Sequence, residues 1–234
     1  MTDSALRELA DDPSSRKRFF KMMGGAGAVS AFGIVLAACG DDEDEGGSAS
    51  TPAKSSGDDT SGDDTKGDLK ILNYALTLEF LEADFYKQVI DSGIVKDPKV
   101  ASLAKQFGET EQTHVDFLKS AIEKMGGKPV SAPKTKFGPT LEKGLMAVLE
   151  TAATVENLGA AAYLGAAGMI KSKTVLAAAL SIHSVEARHA AALNSLVGRG
   201  FGGKGGLSGS LPDGAFAKGM SEADVLAAVK PFLA

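Results

Sequence analysis

From Asp68 onward, apolar residues recur at helical spacing. Punctuation between them predicts four helices near 69–91, 98–125, 141–170 and 173–197. Asp91-Ser92-Gly93 and Asp97-Pro98 mark the first break, and Gly126-Gly127 ends the second helix. Residues 126–140 hold too much Pro and Gly to continue a helix, whereas the last two helices are joined almost directly around Lys171 to Lys173. Short, long and short connections predict an all-α four-helix bundle with one long crossover. Beyond a glycine-rich stretch at 198–214, Ser221-Glu222-Ala223-Asp224 resembles a capping box and predicts a short C-terminal helix.

Each helical residue turns the chain by about 100°, which assigns every side chain to a face. On the second helix, Lys105, Glu109, Gln112, Asp116, Lys119 and Glu123 gather on a polar face. Opposite run Val100, Leu103, Phe107, Leu118, Ala121, Ile122 and Met125, with Glu111 and His114 in the middle of that stripe. The fourth helix repeats the arrangement, with Glu186 and His189 set among Val175, Ile182, Leu193 and Leu196. On the first helix Asn73, Thr77, Asp84 and Gln88 mark the outside, and Glu79 and Glu82 lie opposite. On the third, Glu156 aligns with Leu145, Leu149, Ala152 and Tyr163, while Glu150, Lys143 and Asn157 sit on a flank.

Charged groups in a core cost several kcal/mol each unless compensated, and no Lys or Arg shares these stripes. Crowded carboxylates without counter-charge would take up protons. Two divalent cations would instead balance four carboxylates, and Glu-x-x-His sets both side chains on one helical face, the spacing used in dimetal bundles. An internal repeat points the same way. Glu79 is followed by Tyr86 and Glu156 by Tyr163, and each pair precedes a Glu-x-x-His, at Glu111 and at Glu186. Two copies of one helical hairpin would thus each give half a site. The repeat favours Glu79 over Glu82, because Gly159 stands where the third helix would match Glu82. Glu82 is left as either an additional ligand or an acid behind the ligands, and Tyr86 and Tyr163 as partners of ligand groups or as plain core aromatics.

The first part of the chain reads differently. Arg16, Lys17, Arg18 and Lys21 precede an apolar run from Met22 to Ala38 that is too short and too rich in Gly and Ala for a spanning helix, which needs about 20 residues. This pattern predicts an export signal over residues 1–38. Residues 15–21 resemble a twin-arginine export motif with lysine in place of the second arginine, which leaves the general secretory route open. Leu36-Ala37-Ala38-Cys39 resembles a bacterial lipobox, implying acylation at Cys39 and anchoring to the outer face of the cytoplasmic membrane. Residues 39–67 form an acidic, Gly- and Ser-rich linker, leaving 68–234 for the bundle. Cys39 is the single cysteine, so the bundle has neither disulfides nor thiolate ligands. A formal net charge of -5 argues against nucleic-acid binding.

The segments ILNYALTLEFLEADFY, VENLGAAAYLGAA and SIHSVEARHAAAL resemble the ferritin-like superfamily, and more narrowly the ferritin-like domain family that includes desiccation-related proteins. The resemblance implies a ferritin-like four-helix bundle with Glu79, Glu111, His114, Glu156, Glu186 and His189 as ligands of two divalent Fe or Mn ions. It implies oxidoreductase chemistry with O2 or H2O2, such as iron oxidation or peroxide breakdown. The alternatives are a non-catalytic metal-binding or structural stress protein of the cell envelope, and a bundle whose site stays empty. Assembly into a homo-oligomer is compatible with these features. If Cys39 carries the anchor, Cys39→Ser moves the protein from the membrane pellet to the soluble fraction, as read by cell fractionation; retention in the pellet would refute the lipobox reading.

Overall fold

The computed structural model describes residues 62–199 and 216–234. The export signal, Cys39 and most of the acidic linker therefore lie outside the described residues. Helix α1 spans Gly62–Ser92 and α2 Pro98–Lys124; the short α3 covers Gly138–Glu142; α4 runs Leu145–Ala167 and α5 Lys173–Leu196; α6 is Glu222–Val229, followed by a 3-10 turn at Lys230–Phe232. The described residues form no named strand, and their only β feature is an isolated antiparallel bridge between Thr135 and Leu233. Helices α1 and α2 pack as one hairpin, α4 and α5 as a second, and α1 lies against α4.

Helix starts follow capping chemistry. The Asp97 carboxylate accepts from Lys99 N at 2.8 Å and Val100 N at 3.0 Å, with Pro98 in the first turn. Ser172 caps α5 through Val175 N at 3.2 Å. At α6, Ser221 Oγ accepts from Asp224 N at 3.2 Å and donates to Asp224 Oδ2 at 2.6 Å. Gly93 (φ 61°) follows the end of α1 and Gly126 (φ 78°) that of α2, left-handed conformations that glycine adopts without strain.

Several boundaries and faces differ from the sequence expectation. Helix α1 starts at Gly62 rather than 69, so residues 62–67 of the expected linker are helical; Asp63 and Asp64 in the first turn favour the helix dipole there. The expected single helix at 141–170 is split at Gly144, whose φ of 96° no ordinary helix residue adopts, and α4 ends at Ala167. Leu145 and Leu196, expected in the apolar stripes, are exposed at the first turn of α4 and the last of α5, and Val148 packs in the core instead. Asn157, expected on a flank, is fully buried because its amide bonds Asn194 Oδ1 at 3.1 Å and Ala153 O at 2.6 Å.

The polar residues expected on the outside of α1 clasp the crossover. Asn73 donates to Lys128 O at 3.3 Å and accepts from Val130 N at 2.7 Å. Asp84 accepts from Thr135, and Gln88 Nε2 reaches Thr135 Oγ1 at 2.9 Å. The same segment pairs with the C-terminal residues through Lys136 N to Phe232 O and Ala234 N to Lys134 O, both 2.9 Å. Phe137 is thereby driven into the core, edge-on to Phe85 with ring centres 4.8 Å apart.

Apolar packing brackets the middle of the bundle. Leu72, Leu76, Leu118, Ile122, Val175 and Ile182 lie toward one end. Phe85, Val89, Phe107, Val148, Ala152 and Leu193 lie toward the other. Each fully buried aliphatic or aromatic side chain contributes about 1.5–3 kcal/mol, which offsets the cost of polar groups held between the two clusters. At the bundle end, the buried Asp68 accepts from Lys171 N at 2.9 Å and Ser172 N at 2.8 Å, pinning α1 to the α4–α5 connection. Asp68→Ala is expected to lower the unfolding free energy by about 2–3 kcal/mol, since two backbone donors lose a charged acceptor. Urea denaturation with an unchanged m value checks this.

Candidate metal centre

Between the apolar clusters, four helices send seven ionisable side chains to one point. Glu79 and Glu82 come from α1, Glu111 and His114 from α2, Glu156 from α4, and Glu186 and His189 from α5. All seven are buried, and four of the five glutamates are 0 % exposed. Helical geometry explains the convergence, because residues three apart share a face and each apolar stripe faces the bundle axis.

The side chains form two groups that share members. Glu79, Glu111, His114 and Glu186 make one, and Glu111, Glu156, Glu186 and His189 the other; within each, ligand atoms lie within 4.8 Å of one another. His114 Nδ1 is 2.9 Å from Glu111 Oε2 and 3.2 Å from both Glu79 Oε2 and Glu186 Oε1. His189 Nδ1 is 2.8 Å from Glu111 Oε1 and 3.2 Å from Glu156 Oε2. Thus Glu111 and Glu186 stand between the groups, and a Glu and a His close each end. The six residues singled out from the sequence all meet here. Glu82 sits beside them and belongs to neither group.

Both tyrosines touch the centre, and each does so across the repeat. Tyr86 of the first hairpin donates to Glu156 Oε1 at 2.5 Å, and Tyr163 of the second donates to Glu79 Oε1. Sequence reasoning left their role open; both bond a carboxylate. It missed Phe107, whose ring stacks on His189 at a centre distance of 3.8 Å and an angle of 23°. Its position, four residues before Glu111 on the same stripe, was the available signal. The third histidine, His183, bonds Ala160 O and stays outside the centre.

Charge balance decides what the centre can hold. Among the described residues no Lys or Arg is buried, so five carboxyls face two imidazoles. Burial pushes Glu82, Glu186 and Glu156 above the ordinary carboxyl range, with neighbouring carboxylates adding to it. Glu79 rises to about 7, by burial first, against the lowering effect of His114. Burial also pushes Glu111 up, but hydrogen bonds from His114 and His189 outweigh it and hold the carboxyl at about 2. Burial opposes charge on the imidazoles, yet the surrounding carboxylates raise His114 to about 12 and His189 to about 9. Tyr86 and Tyr163 are raised by burial and adjacent carboxylates, so both remain donors.

The donor set fits metal ions. Glu186 Oε2 and Glu82 Oε2 are buried without a hydrogen-bond partner, a costly condition that a cation relieves. Carboxylate and imidazole donors in two overlapping groups of four could hold one ion each, with Glu111 and Glu186 common to both. Metal-free protein must instead keep protons here. Glu79 and His189 have folded pKa values raised above their ordinary 4.5 and 6.5, so their stabilising contribution is lost as pH rises through about 7 and about 9. Glu111 shifts the other way, and its contribution is lost only in acid, below 4.5. The Tm of chelator-treated protein should therefore fall between pH 5 and about 9. With Mn2+ present the Tm should hold or rise over that range, because proton competition for the ligands fades. Parallel pH profiles with and without metal would contradict this.

The sequence model of the ferritin-like domain family matches residues 67–199, which take in the four long helices except for the first turn of α1, and every residue of the centre. No curated protein matches the chain. With the match covering more than half the sequence, the chain belongs to the ferritin-like domain family.

Proposed function

We propose that this chain is an exported, lipid-anchored protein whose bundle holds two Fe or Mn ions and carries out oxidoreductase chemistry with O2 or peroxide. The observation that carries the reading is the pair of four-residue donor groups with Glu111 and Glu186 in common. Two bound redox-active ions would supply the electrons that O2 or peroxide takes up. Glu79 with His114, and Glu156 with His189, would hold one ion each, while Glu111 and Glu186 would span the pair. Tyr163 and Tyr86 fix the rotation of Glu79 and Glu156, leaving one oxygen of each turned toward a histidine. Carboxyls and imidazoles that carry protons in the metal-free protein would release them as the ions enter.

A small oxidant would suit the room beside the centre. Two apolar cavities of about 20 Å³ flank the centre, one lined by Tyr163, Leu72 and Leu118 and the other by Tyr86, Phe107 and Leu193. Each is roomy enough for a particle of a few atoms, and each abuts a tyrosine bonded to a site carboxylate. The larger groove of about 920 Å³ on the outside of α1 and α2 touches none of the seven residues. The tight packing also suits a second reading, a non-catalytic metal-holding protein of the envelope that serves under stress. In either reading the tether would come from Cys39, with the acidic linker spacing the bundle from the anionic membrane.

Metal analysis of the full chain, purified without added metal, is expected to find about two equivalents of Fe or Mn. Glu111→Ala with Glu186→Ala should abolish them. Fe(II) oxidation or H2O2 consumption that disappears in Glu111→Ala would select the enzyme over the metal-holding protein. A folded wild type that takes up neither Fe nor Mn would overturn both.

A further inference from the structure

The two hairpins match position for position in the acids, imidazoles and tyrosines of the centre, with one exception. Glu79 corresponds to Glu156 and Tyr86 to Tyr163; Glu111 corresponds to Glu186 and His114 to His189. At the same offset Glu82 corresponds to Gly159. The two mismatched residues meet in space. A Cβ at Gly159 would lie 2.9 Å from Glu82 Oε1 and 3.0 Å from Glu186 Oε2. The missing side chain of Gly159 is therefore the room into which Glu82 extends. That room lies on α4, three residues from Glu156 and on the same face, so the carboxyl of an α1 residue has crossed to the other half of the centre.

Glu82 has no evident structural employment there. It is 2 % exposed, its Oε2 has no hydrogen-bond partner, and no Lys or Arg is buried among the described residues to pair with it. Buried carboxyls that serve only the fold are hydrogen-bonded. The hydroxyls of Tyr86 and Tyr163 are engaged by Glu156 and Glu79, and that of Tyr74, also buried, bonds no carboxylate. The remaining partner of suitable charge is a cation held by the adjoining group.

Resting on the dimetal reading above, we propose that Glu82 is a seventh ligand, given to the metal position of Glu156 and His189, and that the two positions are consequently unequal. The Glu79–His114 position has no counterpart to Glu82, because Gly159 offers no side chain. The position with the extra carboxylate binds first and more tightly. Phe107, stacked on His189, adds to the difference, since Ile182 stands at the corresponding place in the second hairpin.

Titration of the metal-stripped full chain with Mn2+, following free Mn2+ by its paramagnetic resonance signal, tests this without recourse to turnover. Wild type should bind two ions with affinities at least about tenfold apart, the size of effect that loss of a supporting carboxylate has at metal sites. Glu82→Gln, with helicity checked by circular dichroism, should still bind two ions but with affinities drawn together by weakening of the tight step. Glu82→Asp, which keeps the charge but cannot span the distance, should behave as Glu82→Gln does. His189→Ala should remove the tight step and His114→Ala the weak one. Affinities unchanged in both Glu82 variants, or a tight step that survives His189→Ala, would overturn the proposal while leaving the dimetal centre intact. A wild type that binds no Mn2+ and no Fe2+ would overturn the dimetal reading and this one together.

Discussion

Everything in this bundle is arranged around the cost of holding five glutamates away from water with only two imidazoles for company. Taken singly, each such group would cost several kcal/mol to bury as an ion. Taken together they form a cluster whose charge must be balanced from outside the protein, by protons or by cations. The aliphatic and aromatic residues at both ends of the bundle do more than stabilise the helices. They remove the water that would otherwise screen the cluster, and so make that need for positive charge acute.

The hairpin repeat is an economical answer to this constraint. Each copy brings a group-forming carboxylate on its first helix, to which the first copy adds Glu82, and a Glu-x-x-His on its second, and neither copy makes a complete group alone. Glu186 completes the group of the first hairpin, and Glu111 that of the second. The crossover that separates the copies is long because it must travel the length of the bundle, and it is tied down on the way by Asn73, Asp84 and Gln88. Residues that a helical wheel assigns to solvent are thus spent on positioning the second hairpin against the first.

How far the structure could be read in advance differs by residue. Glu111 with His114, and Glu186 with His189, were legible because charged residues one turn apart in an apolar stripe break the pattern that a helix surface otherwise keeps. Glu79 was separable from Glu82 only through the repeat. Asn157 was misplaced because a wheel scores polarity, and it has no knowledge of a buried partner such as Asn194 on another helix. The break at Gly144 was hidden within a stretch whose apolar spacing continues across it, and its left-handed φ is a property of the backbone. The helical extension of α1 into the linker was also missed, because composition alone suggested disorder there. Stacking of Phe107 on His189 needed the packing of α2 against α5, which no single stripe contains.

The crossed tyrosine bonds have a consequence for the order in which the molecule assembles. Contacts within each hairpin are local in sequence and can form early, whereas Tyr86 to Glu156 and Tyr163 to Glu79 join residues 70 and 84 positions apart. Contacts that close long loops tend to form after local ones, which would make the centre the last region to be completed rather than a nucleus around which the chain condenses. Two ready-made hairpins meet, and only their docking aligns the carboxylates. An ion that arrives earlier would encounter three of the four residues of its group, and its capture would be completed only at that final encounter.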